Sequence, residues 1–127
     1  QLLFSNSTEF TDCEGLNIIK GKVENLSKYL PNEPVPHVGW NTVIQHKATR
    51  NNNSTSFLNS QLFQNDHYYF VHSYFVEPAN PEHIFTETTF ADFKFCSSVL
   101  VDNIFACQFH PEKSGTRGLR ILKNFFS

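Results

Sequence analysis

The stretch Phe109-His110-Pro111-Glu112-Lys113-Ser114-Gly115 sets a histidine and a glutamate two positions apart across a proline. An imidazole that gives one ring proton to a carboxylate keeps its other nitrogen free as a base, which is the arrangement a nucleophile–base–acid triad needs. Pro111 disfavours helical backbone at His110 and cannot donate to a strand ladder. His110 is therefore expected at the carboxyl edge of a strand, where open α/β sheets bind their ligands. With the backbone extended through residue 112, the two side chains would point the same way. From H-x-E alone the plainer reading is a surface turn with a solvated glutamate, since exposed His and Glu are ordinary.

The chain offers no evident nucleophile. Cys107 lies three residues before His110 on one run, so their side chains are expected on opposite faces. I-F-A-C-Q-F also lacks the sharp strand-to-helix turn that exposes a nucleophile. Cys107 is expected to be a packing residue. Cys13, Cys96 and Cys107 are odd in number and show no C-x-x-C spacing, which suits free thiols in a reducing compartment. His37, His46, His67, His72 and His83 have no ligand spacing with nearby carboxylates, so no metal site is expected; no cofactor is expected either.

The elements that must position these groups follow from periodicity. G-L-N-I-I-K-G-K-V (15–23) predicts a short strand, and Pro31, Pro34 and Pro36 forbid regular helix after it. V-P-H-V-G-W-N-T-V (35–43) predicts extended chain, with Gly39 allowing close backbone approach. A-T-R-N-N-N-S-T-S (48–56) is the clearest loop. H-Y-Y-F-V-H-S-Y-F-V (67–76), aromatic and β-branched, predicts one strong strand. F-T-E-T-T-F and F-K-F-C-S-S-V-L-V predict two more around Ala91-Asp92. I-F-A-C-Q-F (104–109) predicts a partner strand after a turn at Asp102-Asn103, with Asn as the residue that tolerates left-handed backbone. Leu2, Leu3 and Phe4 read as the tail of a helix. Leu119, Leu122 and Phe126 share one face of a helix at the other end, with Ser114 or Thr116 as caps. Several strands and a helix at each end suit an α/β layered domain with part of a parallel sheet missing.

The length of 127 residues suits one domain or most of one, and 14 phenylalanines supply a core. A formal charge of −2 argues against nucleic acid as the main partner, and no apolar run is long enough to span a bilayer. A cytoplasmic protein is expected. There is no methionine and the chain opens on Q-L-L-F-S, so a fragment or a processed chain is expected.

Q-F-H-P-E-K-S-G followed by G-L-R-I-L-K-N-F resembles the C-terminal signature of class I, triad-type glutamine amidotransferases. Within that family V-P-H-V-G-W-N (35–41) and Y-F-V-H-S-Y (69–74) resemble motifs of the amidotransferase subunits of imidazole glycerol phosphate synthases. Q-L-L-F-S resembles the end of the family's nucleophile elbow, a G-x-C-x-G-x-Q pattern running into a helix. The resemblance covers essentially the whole chain and implies a flavodoxin-like α/β domain. Residues 1–127 would be its C-terminal portion, without the N-terminal strand–helix units and the elbow. The family's cysteine stands four residues before the glutamine matching Gln1, so the chain by itself is expected to be inactive.

By the same resemblance His110 is the general base and acid and Glu112 orients it. Gln1, Ser73 and Tyr74 hold the substrate glutamine, the last two through their backbone. Trp40, Tyr69 and Lys113 face a partner, a (β/α)8-barrel cyclase of histidine biosynthesis that receives the ammonia. Trp40 read alone is equally a core anchor. An amidotransferase of another pathway, or a non-catalytic docking module, remains as an alternative.

Overall fold

The computed structural model describes residues 1–9, 11–46 and 64–126, and the loop expected at 48–56 lies outside them. The strands run β1 (Phe4–Ser7), β2 (Cys13–Glu14), β3 (Ile19–Asn25), β4 (His37–Gln45), β5 (Gln64–His72), β6 (Tyr74–Pro78), β7 (Ile84–Phe90), β8 (Phe93–Val101) and β9 (Ile104–Cys107). One α-helix, α1 (Gly115–Phe126), closes the described chain, and a 3-10 turn at Pro111–Lys113 precedes it. The strands form one sheet in the order β2-β1-β3-β6-β8-β7-β4-β5, with β9 also on β8.

This mixed sheet with a helix against it keeps the expected α/β class. Its internal balance differs from the expected parallel sheet. Only β1 and β3 pair in parallel among the described strands, and the other pairings are antiparallel. The reason is local, because parallel neighbours need a long crossover while tight turns reverse the chain. Ala91 and Asp92 both take positive φ, 47° and 66°, in the two-residue turn that folds β8 back on β7. Asp102, not Asn103, takes the left-handed conformation (φ 52°) in the turn that returns β9 along β8.

The expected amino-terminal helix is absent, and β1 stands in its place. The carbonyls of Leu2, Leu3 and Phe4, which a helix would direct to its own next turn, accept from the N–H groups of Leu16, Ile18, Ile19 and Asn17 at 2.9–3.2 Å. Phe4 is buried against Ile19, Val23 and Val76. Gly15 permits this crossing, since a Cβ there would lie 2.0 Å from the Phe4 carbonyl oxygen.

The 67–76 run is two strands, broken at Ser73. There the Ser73 carbonyl accepts from Leu26 N–H at 2.9 Å, and the His72 ring bonds the Tyr74 carbonyl at 2.7 Å. Both bonds favour a corner over continued ladder. Gly39 differs from expectation too: an added Cβ would meet nothing within 4 Å, so glycine serves there for its φ of +127° and not for close approach.

The helix presents a different face from the one expected. Gly118 and Ile121 are its buried residues, while Leu119 and Phe126 stay 57% and 80% exposed. A glycine, invisible to an apolar count, makes the closest approach. Its missing Cβ would sit 1.9 Å from the Pro111 carbonyl oxygen. Gly118→Ala is therefore expected to lower stability by about 1–3 kcal/mol through overpacking, despite alanine's better helix propensity. A thermal melt shifted upward would show that the helix can move off the turn without cost.

Candidate active site

The H-P-E segment is pinned along the free side of β5. His110 N–H donates to the Tyr69 carbonyl at 2.9 Å. Tyr69 N–H donates to Ser114 Oγ at 2.9 Å, and that hydroxyl donates to the His110 carbonyl at 2.6 Å. Ser114 thus spends its hydroxyl on this closed ring of bonds and not on the helix cap expected of it. Phe109, buried beside Tyr68 with ring centroids 4.7 Å apart, anchors the residue before the histidine. His110 has φ −100° and ψ 98°, the extended backbone that Pro111 imposes.

Beyond it the chain is not extended, which corrects the expected route to Glu112. Pro111–Lys113 is a 3-10 turn closed by Lys113 N–H on the His110 carbonyl at 3.1 Å. The turn carries the carboxylate back to the ring, with His110 Nδ1 2.8 Å from Glu112 Oε1. An ionised carboxylate only accepts, so Nδ1 carries a hydrogen, and in the neutral ring Nε2 presents a lone pair. Glu112 lies below the usual carboxylate range, held there first by its own backbone N–H and then by the His110 ring. The side chains are 36% and 57% exposed, so the pair lies within reach of an approaching group. This unit can take a proton, hold it and return it.

Gln1 reaches the same neighbourhood. Its Nε2 donates to the Tyr74 carbonyl at 3.1 Å and to Gln108 Oε1 at 2.9 Å. Ser73 and Tyr74 occupy the corner between β5 and β6, so the glutamine, the corner and the segment ahead of His110 are joined by hydrogen bonds. Gln108 was not singled out from sequence, although it stands inside Q-F-H-P-E. Cys107 packs against the core cluster that contains Phe109 and Ile121. Burial, then the Glu112 charge, pushes its thiol up to about 12, so it carries no thiolate near neutral pH.

Trp40 and Tyr69 are register partners across β4 and β5, and their rings meet edge-on at 6.1 Å. Lys113 Nζ lies 6.0 Å from the Tyr69 ring centre. Trp40 is 55% exposed, so it is no core anchor, and the three residues form one outward patch. Sequence reasoning missed the inward side of the same two strands. His37 and His72 are buried there as register partners, with His37 Nδ1 2.9 Å from His72 Nε2. Each lies in one of the two motifs quoted above, but they stand 35 residues apart and nothing in the sequence paired them.

A family model for class I glutamine amidotransferases matches residues 1–127. The chain belongs to that family. Among curated proteins, this chain is 44% identical over 125 residues to imidazole glycerol phosphate synthase subunit HisH of Pyrococcus furiosus, covering 98% of this chain and 59% of that protein. It is 41% identical over 129 residues to the subunit of the same name from Chlorobaculum tepidum, covering 98% and 58%. The corresponding figures for the subunit from Caldanaerobacter subterraneus are 42% over 125 residues, 98% and 56%. This amidotransferase chain therefore spans a little over half the length of the curated relatives it matches. Among its described residues no group of three or more His, Cys, Asp or Glu side chains is placed to hold a metal ion, and no helix is long and apolar enough to cross a membrane.

Proposed function

We propose that this chain is the C-terminal part of the glutaminase subunit of an imidazole glycerol phosphate synthase, residues 1–127 being that portion of a single amidotransferase domain. One observation carries the reading. A hydrogen-bonded His110–Glu112 pair stands two residues after Gln108, and Gln1 bonds both Gln108 and the Tyr74 carbonyl, in a chain whose relatives bear that name. The nucleophile is a cysteine thiol supplied by sequence N-terminal to Gln1.

His110 Nε2 takes the thiol proton, and the thiolate attacks the side-chain carbonyl of glutamine. The imidazolium returns its proton to the departing nitrogen, which leaves as ammonia. Water, deprotonated by the same Nε2, then cleaves the glutamyl thioester to glutamate. Glu112 keeps the ring in the tautomer that serves both steps. Gln1 and the backbone of Ser73 and Tyr74 hold the α-amino and α-carboxylate groups. No cofactor enters these steps.

Trp40, Tyr69 and Lys113 face the cyclase, a (β/α)8 barrel that uses the ammonia in histidine biosynthesis in the cytoplasm. The Tyr69 backbone binds His110 directly and Ser114 through its N–H, so pressure on the Tyr69 ring lies one residue from the base. That proximity supports a coupling of cyclase occupancy to glutamine hydrolysis. Glutaminase activity of the full-length subunit is expected to rise about tenfold or more when the cyclase and its ligand are added. Activity indifferent to the cyclase would exclude the assignment, and no activity under any condition would favour a docking module.

A further inference from the structure

The buried His37–His72 pair has one consistent proton arrangement. The Tyr74 carbonyl can only accept, so His72 Nδ1, 2.7 Å away, carries a hydrogen. His72 Nε2 is then a lone pair and accepts from His37 Nδ1–H at 2.9 Å. His37 Nε2 in turn accepts from Asn41 Nδ2 at 3.3 Å. Asn41 is itself oriented, because its Nδ2 donates to the Thr89 carbonyl at 2.9 Å and its Oδ1 accepts from Thr42 N–H at 2.8 Å. Every donor points the same way along the chain, and both imidazoles are neutral.

The rings have no room to turn. His37 lies between Phe70 and Phe90, stacked at centroid distances of 5.0 and 4.2 Å. The Phe95 ring stands 5.1 Å from that of His72. The two histidines are only 4% and 6% exposed. Apolar residues of similar volume would fill this space without the desolvation cost that two imidazoles carry. What the polar pair adds is an oriented terminus, and that terminus is the Tyr74 carbonyl, which also receives Gln1 Nε2 at 3.1 Å.

We propose that His37 and His72 are positioning residues for glutamine. The chain from Asn41 through both rings fixes the Ser73–Tyr74 corner and the Gln1 amide against which the substrate lies. This rests on the glutaminase reading above and extends it to residues that touch no reacting atom. A fixed corner acts on ground-state and transition-state binding alike, so its loss raises KM more than it lowers kcat.

The test uses the full-length subunit with its cyclase. His72→Phe keeps a ring and removes both hydrogen bonds. Its KM for glutamine is expected to rise about tenfold, with kcat within about threefold of wild type. His72→Asn, whose amide nitrogen can stand where Nδ1 stood, is expected to recover most of the loss in KM although it lowers the melting temperature. A merely structural role would lower the melting temperature of both variants and leave KM unchanged, which would overturn the proposal. Should His72→Phe not fold, Asn41→Ala at the half-buried far end of the chain is expected to raise KM about threefold, and an unchanged value there is equally fatal. A wild-type assembly that does not hydrolyse glutamine would defeat the functional reading itself, whereas an active wild type with unmoved variant KM defeats this inference alone.

Discussion

Asparagine in place of His110 is expected to reduce glutamine hydrolysis by the assembled enzyme about a thousandfold, almost entirely in kcat. On the mechanism proposed above the loss is large, because one nitrogen would do both proton transfers. Asparagine can still donate to Glu112 from its amide, but it has no nitrogen lone pair able to accept the thiol proton. Stability should hardly change. The position is secured by backbone bonds to Tyr69 and Ser114, and the ring is partly exposed. Glu112→Gln should cost less, about 10- to 100-fold. Its carboxylate is 57% exposed, so water can replace part of what it does. Single-turnover measurements on the two variants would separate these effects from binding. If His110→Asn retained a tenth of the wild-type kcat, the base would have to be sought elsewhere.

Acid is expected to weaken this protein from about pH 6.5 downward, before most of its carboxylates begin to titrate. Burial, and then the neighbouring His72, depress His37 from its ordinary 6.5 to about 4. His72 is depressed as well, by burial first, then by a nearby His110 charge, against the hydrogen bond to Tyr74 that works the other way. Between pH 6.5 and about 4 the unfolded chain therefore binds more protons than the folded one. The stability due to a neutral His37 is complete above pH 6.5 and lost as the pH falls to about 4. The depression sets an upper bound of roughly 3 kcal/mol on that contribution. The walls around the pair are aromatic, from Phe70, Phe90 and Phe95, and among the described residues the His–carboxylate ion pairs are those of His46 and His110, not of His37 or His72. Urea midpoints for wild type and His37→Phe between pH 7 and 4.5 would isolate the contribution. The wild-type midpoint should drop steeply below pH 6.5 and the variant's should drop less. Parallel curves for the two proteins would rule out His37 as the titrating group.

Short-range chemistry was readable in the linear chain. Pro111 dictated extended backbone at His110, and proximity of two residues made a His–Glu bond available. Ala91-Asp92 marked the break between two strand-forming runs, which pair as β7 and β8. The ordered motifs were enough to identify the amidotransferase family. Other features depended on partners far along the chain. Leu2-Leu3-Phe4 has the composition of a helix, and it becomes part of a sheet because residues 16–19 claim its carbonyls. The helix face turned on Gly118, whose contribution is an absent atom. Trp40 faces outward and His37 inward on one strand, a distinction that alternation alone cannot orient until β5 and the aromatic core stand on one side. The two buried imidazoles looked like isolated histidines in sequence, 35 residues apart, and only sheet register joined them. Local backbone preferences and motif order act over a few residues and so belong to the sequence. Which carbonyl, ring or empty space waits on the far side is decided when distant segments meet.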